Sequence, residues 1–259
     1  MTGTSTEPVL AALEGVQRRF GQLLLDIGPA GWDAPVPATP GWRVADMTAH
    51  MLHGERVALA STRGEPTPDL PARNVDEWTA AGIAEYAGPP RAGLIDAWID
   101  AAAALRAELA GYDEEAWRGR AMWVAGPVRR SGLAQLRVHE TWIHGRDVAE
   151  ATGAAWPLDD QTLWWMADLA ARVVPGTLTR AGRDRPGVAV LIRLGGREWL
   201  VGAGAGKRPA PGTEPGLVLE AEPLDFVLLA AGRRHDRPWR ATGDQALAED
   251  IASTISTVG

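Results

Sequence analysis

Apolar residues recur at steps of three and four through the first two thirds of the chain. Leu10, Leu13, Val16, Phe20, Leu23, Leu24 and Ile27 form one stripe, which predicts an amphipathic helix over 6–28. Val44, Met47, Met51 and Val57 predict a second helix over 43–61. Leu94, Trp98, Ala102, Leu105 and Leu109 predict a long one that begins at Pro89-Pro90. Asn74 is suited to cap a short helix through Ala87. Ser131 is suited to cap a helix over 132–152 that Gly153 closes, and Asp159 or Asp160 one more that ends near Pro175. The Pro- and Gly-rich stretches 28–42 and 62–73 read as loops, and 111–130 as irregular chain.

The period then shortens. Val188, Val190, Ile192 and Leu194 alternate as in a strand, Gly195-Gly196 signals a hairpin, and Arg197 to Val201 reads as the return strand. LVLEA (217–221) fits a third strand. Helices are expected over 223–231 and 244–255. The pattern predicts a two-domain α+β protein: a helical bundle over 1–176, then a small α+β domain over 177–259, joined through the polar, Gly-rich segment 176–187.

Composition narrows the chemistry. The chain of 259 residues has no Cys, hence no disulfide, no Cys-based zinc site and no thiol nucleophile of its own. That fits a cytoplasmic protein. A formal net charge of −7 argues against a nucleic-acid partner. No apolar run approaches the roughly 20 residues of a membrane span, and MTGTSTEPVL carries no signal-peptide pattern. Lys207 is the only lysine. Twelve Trp against two Tyr and two Phe assign aromatic packing to Trp, with a Trp-lined pocket as the lesser reading. Nothing on the sequence separates a monomer from a homodimer.

Five histidines carry the candidate chemistry: His50, His53, His139, His144 and His235. Glu140 and His144 stand four residues apart on the 132–152 helix, so they project from one face a turn apart. Leu133, Leu136 and Val148 share that face and turn it inward. A carboxylate and an imidazole in an apolar stripe need a partner, and a divalent metal is one. Asp147 follows on the same face, placed to orient an imidazole or hold a water. His139 points elsewhere. A third ligand has to come from another helix, and His50, between Met47 and Met51, points inward; His53 is the reserve. The competing reading is a local Glu–His hydrogen bond with no ion.

Two segments also resemble a known family. In PATPGWRVADMTAHML (37–52), Trp42, Asp46 and His50 match the first motif of the mycothiol-dependent maleylpyruvate isomerase family, within the DinB-like metal-binding superfamily. In LRVHETWIHGRDVAEATG (136–153), Glu140, His144 and Asp147 match the second. The resemblance implies a DinB-like four-helix bundle with His50, Glu140 and His144 as ligands of a divalent metal, zinc first. It also implies a C-terminal domain of sterol-carrier type, to which LDFVLLAAGRRHD (224–236) is similar. Mycothiol is the implied thiol partner, adding to a small electrophilic substrate in an isomerisation or S-transfer.

Arg233 and Arg234 are candidates for binding a substrate or cofactor anion, since guanidinium pairs bidentately with carboxylate. A solvated basic helix end is the equal alternative. His235 is a weaker candidate beside them. Trp117 and Trp123 are core residues first and cleft residues second. Two rival functions stay open: a metal-dependent hydrolase or lyase without a thiol, and a non-catalytic metal or small-ligand binding protein.

Overall fold

The computed structural model describes residues 6–67, 69–70, 74–88, 90–204, 206 and 208–257. The signal-peptide reading at residues 1–5, the helix start at Pro89 and the lysine Lys207 lie outside them. The chain divides into two compact units, Met1–Thr162 and Leu163–Gly259. Mixed α+β architecture is as the periodicities predicted.

The first unit is built on four long helices: α1 (Thr6–Asp26), α3 (Val44–Arg63), α5 (Arg91–Ala110) and α7 (Arg130–Thr152). α3 packs on α5 and α7, and α1 on α7 and α5. The predicted stripes are the packed faces: Leu13, Val16, Phe20, Met47, Met51, Leu105 and Leu133 are fully buried. Phe20 meets Trp98 edge-on at 4.8 Å between ring centroids. Shorter pieces join them: α2 (Pro29–Trp32), α4 (Val75–Glu85) and α6 (Glu114–Arg118). Asn74 caps α4, its side chain accepting from the backbone N–H groups of Asp76 and Glu77.

Two expectations in this unit need correction. The segment 111–130 is not irregular but carries regular elements, α6 followed by a hairpin of β1 (Arg120–Trp123) and β2 (Gly126–Arg129). Its four-residue strands are too short to show alternation, and Pro127 interrupts the second. The helix α7 begins before Ser131, which lies inside it; Arg129 is the N-cap and makes no side-chain cap. Gly153 does close α7, at φ 69, the left-handed conformation that glycine adopts without strain.

The helix α8 (Asp160–Arg180) spans the division between the units. Asp159 supplies the start, accepting from Thr162 N–H at 2.8 Å. The helix does not stop at Pro175 as expected. The missing N–H costs one hydrogen bond, and burial of Val174, Thr177 and Leu178 carries the last turn onward. The division lies earlier than the composition change at 176–187. The reason is visible at β4 (Arg197–Gly202): Trp199 donates to Asp168 of α8 at 2.8 Å and stacks on Trp164 of α8.

The second unit carries a four-stranded sheet in the order β4-β3-β5-β6, from β3 (Ala189–Leu194), β4, β5 (Leu217–Ala221) and β6 (Trp239–Gly243). Gly195 and Gly196 make the β3–β4 hairpin with φ 53 and 83, a turn that needs left-handed backbone at both positions. β3 and β5 run parallel, while β4 and β6 are antiparallel to their neighbours. Two helices follow the sequence reading closely: α9 (Pro223–Ala230) and α10 (Gln245–Thr254), the latter capped by Asp244 on Leu247 N–H. β6 was not anticipated, because the alternation in WRATG rests on Trp239 and Ala241 alone and leaves no position of the strand fully buried. Among the described residues no helix is long and apolar enough to cross a membrane.

Candidate functional site

His50 sits on α3 and Glu140 and His144 on α7, and each offers a ligand atom within 4.8 Å of the other two. They form the one such group of His, Cys, Asp or Glu side chains among the described residues. The local sequence explains the placement. Asp46 accepts the backbone N–H of Arg43 at 2.8 Å, fixing the first turn of α3 one turn before His50. Trp42, just ahead of that turn, lies against the His50 ring at 5.3 Å between centroids. Met47 and Met51 are buried on either side. On α7, Leu133 and Val148 are fully buried and keep the Glu140/His144 face inward.

The contacts within the group are directional. His144 Nε2 lies 3.4 Å from Glu140 Oε2, and His144 Nδ1 lies 3.3 Å from Asp147 Oδ2. The His50 and His144 rings meet edge-on at 5.1 Å between centroids. Glu140 and His144 are 8% and 7% exposed and Asp147 0%. His50 Nδ1 is buried without a hydrogen-bond partner. A buried ring nitrogen with nothing to bond is costly, and a cation is a partner it lacks.

Electrostatics divide the group. Burial, reinforced by the charge of His144, pushes the His50 pKa down to about 3, so this imidazole is neutral. Burial alone would push the Glu140 carboxyl up. The hydrogen bond from His144, with the charges of His144, Arg137 and His139, outweighs it and holds Glu140 well below the usual carboxylate range. Burial likewise disfavours charge on His144, but its hydrogen bonds to Asp147 and Glu140 raise its pKa above the ordinary value. A neutral imidazole and an ionised carboxylate are the forms that ligate metals, and a cation on His144 Nε2 displaces a proton. The donor set of two imidazoles and one carboxylate suits zinc and its neighbours.

The other candidates lie elsewhere. His53 is outside the group: its Nδ1 is 3.6 Å from Glu85 Oε2 and its ring packs on Trp78 at 4.6 Å. Gly82 admits it, since a Cβ there would stand 2.5 Å from the imidazole. His139 is buried, so the side of α7 facing away from Glu140 is not solvated either. Trp117 and Trp123 are core residues at 4% and 9% exposure. In the second unit, Arg234 pairs with Asp225 and Asp236, each at 2.7 Å. Arg233 donates to the Ala231 carbonyl at 2.9 Å, and His235 is exposed. Sequence reasoning missed Arg137 and Glu55, a buried ion pair between α7 and α3 at 3.3 Å.

Known proteins share this arrangement of chain. Two crystal structures, of the mycothiol-dependent maleylpyruvate isomerase and of a point mutant of it, superpose with TM-scores of 0.64 and 0.65 at 20% and 19% identity. Each comparison covers 93% of this chain and 96% of the other, which establishes the fold. Two proteins of Mycobacterium tuberculosis, uncharacterized protein Rv0036c of strain H37Rv and uncharacterized protein MT0041 of strain CDC 1551, are 30% identical over 170 residues. Those matches cover 64% of this chain and 64% of the length of the curated relatives. The model of the mycothiol maleylpyruvate isomerase N-terminal domain matches residues 13–149, which include His50, Glu140, His144 and Asp147. The chain belongs to that family.

Proposed function

We propose that this protein is a divalent-metal-dependent enzyme that acts with a low-molecular-weight thiol, mycothiol, on a small electrophilic substrate, as an isomerase or thiol S-transferase. One observation carries the reading: three ligand atoms from His50, Glu140 and His144 within 4.8 Å of one another, beside a buried, unpartnered ring nitrogen. Membership of the maleylpyruvate isomerase family supports it. In the same reading α1, α3, α5 and α7 are a DinB-like four-helix bundle and the second unit is of sterol-carrier type.

The three side chains would hold zinc. A three-ligand zinc supplies an open Lewis-acidic position that favours the deprotonated form of a thiol or water. The residues around it do the rest. Asp147 accepts from His144 Nδ1, which fixes the tautomer and leaves Nε2 as the donor atom. Glu140 stays ionised and offsets cationic charge. Met47, Met51 and Leu133 keep water from the inner side of the ligands. Arg233, Arg234 and His235 of the second unit are assigned to ligand binding, the two guanidinium groups to a carboxylate of the substrate and Arg234 and His235 also to polar groups of the thiol. With no Cys in the chain, the thiol has to come from outside. Cytoplasmic placement belongs to the same proposal, because small thiols are kept reduced there.

The test is turnover of maleylpyruvate by zinc-loaded protein with and without mycothiol. Turnover that requires the thiol is expected. Zinc-dependent activity on a substrate that needs no thiol would instead favour a hydrolase or lyase.

A further inference from the structure

A chain of polar side chains crosses the first unit, with one member from each long helix. Arg106 on α5 donates to Gln17 on α1 at 2.5 Å, and Gln17 donates to Glu55 on α3 at 2.9 Å. Arg137 on α7 donates to the same Glu55 oxygen at 3.3 Å. Gln17, Glu55 and Arg137 are 1%, 0% and 2% exposed.

Stability does not explain this layer. A buried ion pair returns little net stability, and apolar residues of similar size usually serve as well or better. Here the pairing is also incomplete, since Glu55 Oε2 and Arg137 Nε are buried without a partner. A helix-interior glycine has been admitted as well. A Cβ on Gly54 would stand 3.0 Å from Arg137 Nη1, so glycine at this position lets the guanidinium lie close on the α3 backbone. Three locally unfavourable features therefore meet at one contact between α3 and α7.

That contact specifies position. Apolar surfaces tolerate sliding, whereas a buried polar chain is satisfied in one register. α3 and α7 are also the two helices that carry the ligand group. His50 precedes Glu55 on α3 and His144 follows Arg137 on α7, so antiparallel helices hold two rungs, an ionic one and a ligand one. A slip of one residue moves a helix by about 1.5 Å, several times the tolerance of metal–ligand distances.

We propose that Arg106, Gln17, Glu55 and Arg137 are positioning residues that lock the register of α3 on α7 and thereby bring His50 onto Glu140 and His144. The proposal rests on the metal reading above. The test uses the full chain and the double variant Glu55→Leu/Arg137→Met, with zinc affinity measured by chelator competition, the absorption spectrum of the cobalt-loaded protein, and Tm. The expected result is a folded protein, with zinc binding weakened about tenfold or more, an altered cobalt spectrum, and a Tm lowered by no more than the loss of the Gln17 hydrogen bond accounts for. A folded double variant with wild-type zinc affinity and cobalt spectrum overturns the proposal. Should that variant not fold, isosteric Glu55→Gln decides in the same way: weaker zinc binding supports the lock and wild-type affinity overturns it. Failure of the wild-type protein to bind zinc would strike the metal reading itself, which separates the two failures.

Discussion

His144 Nδ1 faces Asp147 Oδ2 at 3.3 Å, which leaves Nε2 turned toward Glu140. Both partners sit on α7, three residues after the imidazole and four before it, so a single helix sets the ring from both sides. Asp147 is fully buried and meets the ligand group at His144.

Asp147→Asn keeps the volume and removes the charge that holds the ring. Zinc affinity should fall about 10- to 100-fold with the fold retained. A chelator-competition titration, with circular dichroism alongside, measures both. Unchanged affinity would mean that the His144 tautomer is set by something else.

Gly145 lies beside the ligand residue and admits Trp156. A Cβ there would stand 2.1 Å from the indole ring, which also donates to the Trp142 carbonyl at 3.0 Å. Gly145→Ala should therefore destabilise by about 1–3 kcal/mol, read as a shift of the urea midpoint. Adding Trp156→Leu should recover part of the loss, and simple additivity of the two changes would contradict the clash.

Much of the helical frame was legible because stripes such as Leu13/Val16/Phe20 and Leu94/Trp98/Leu105 are what the helices bury. Glu140, His144 and Asp147 were legible for the same reason, since one helix sets their spacing. His50 needed only the stripe of Met47 and Met51. The short hairpin at 120–129 and the strand WRATG were not legible. They are held by register against neighbours, Arg120 opposite Arg129 and Leu219 opposite Ala241, and their own apolar patterns span too few residues to stand out. The polar chain from Arg106 to Arg137 was missed because its members come from four helices. A faint signal was present: Gln17, Glu55, Arg106 and Arg137 each stand four residues after a buried apolar residue, at Leu13, Met51, Ala102 and Leu133. Polar residues in core positions of separate helices mark such a layer.

Arg234→Ala separates anion binding from metal binding. Its guanidinium is held by Asp225 and Asp236 in the second unit, remote in sequence from the ligand helices. Zinc content should stay at the wild-type level while KM for a carboxylate-bearing substrate rises severalfold. Wild-type KM would remove Arg234 from substrate binding and leave it as a loop-ordering residue.

The most direct test of the account is the metal content of the purified protein, set against His50→Ala and His144→Ala. About one equivalent of divalent metal in the wild type, lost in both variants while they stay folded, is the predicted result. A wild-type protein that is metal-free and remains so after incubation with zinc would contradict it, and would leave His50, Glu140 and His144 as polar residues of a helical core.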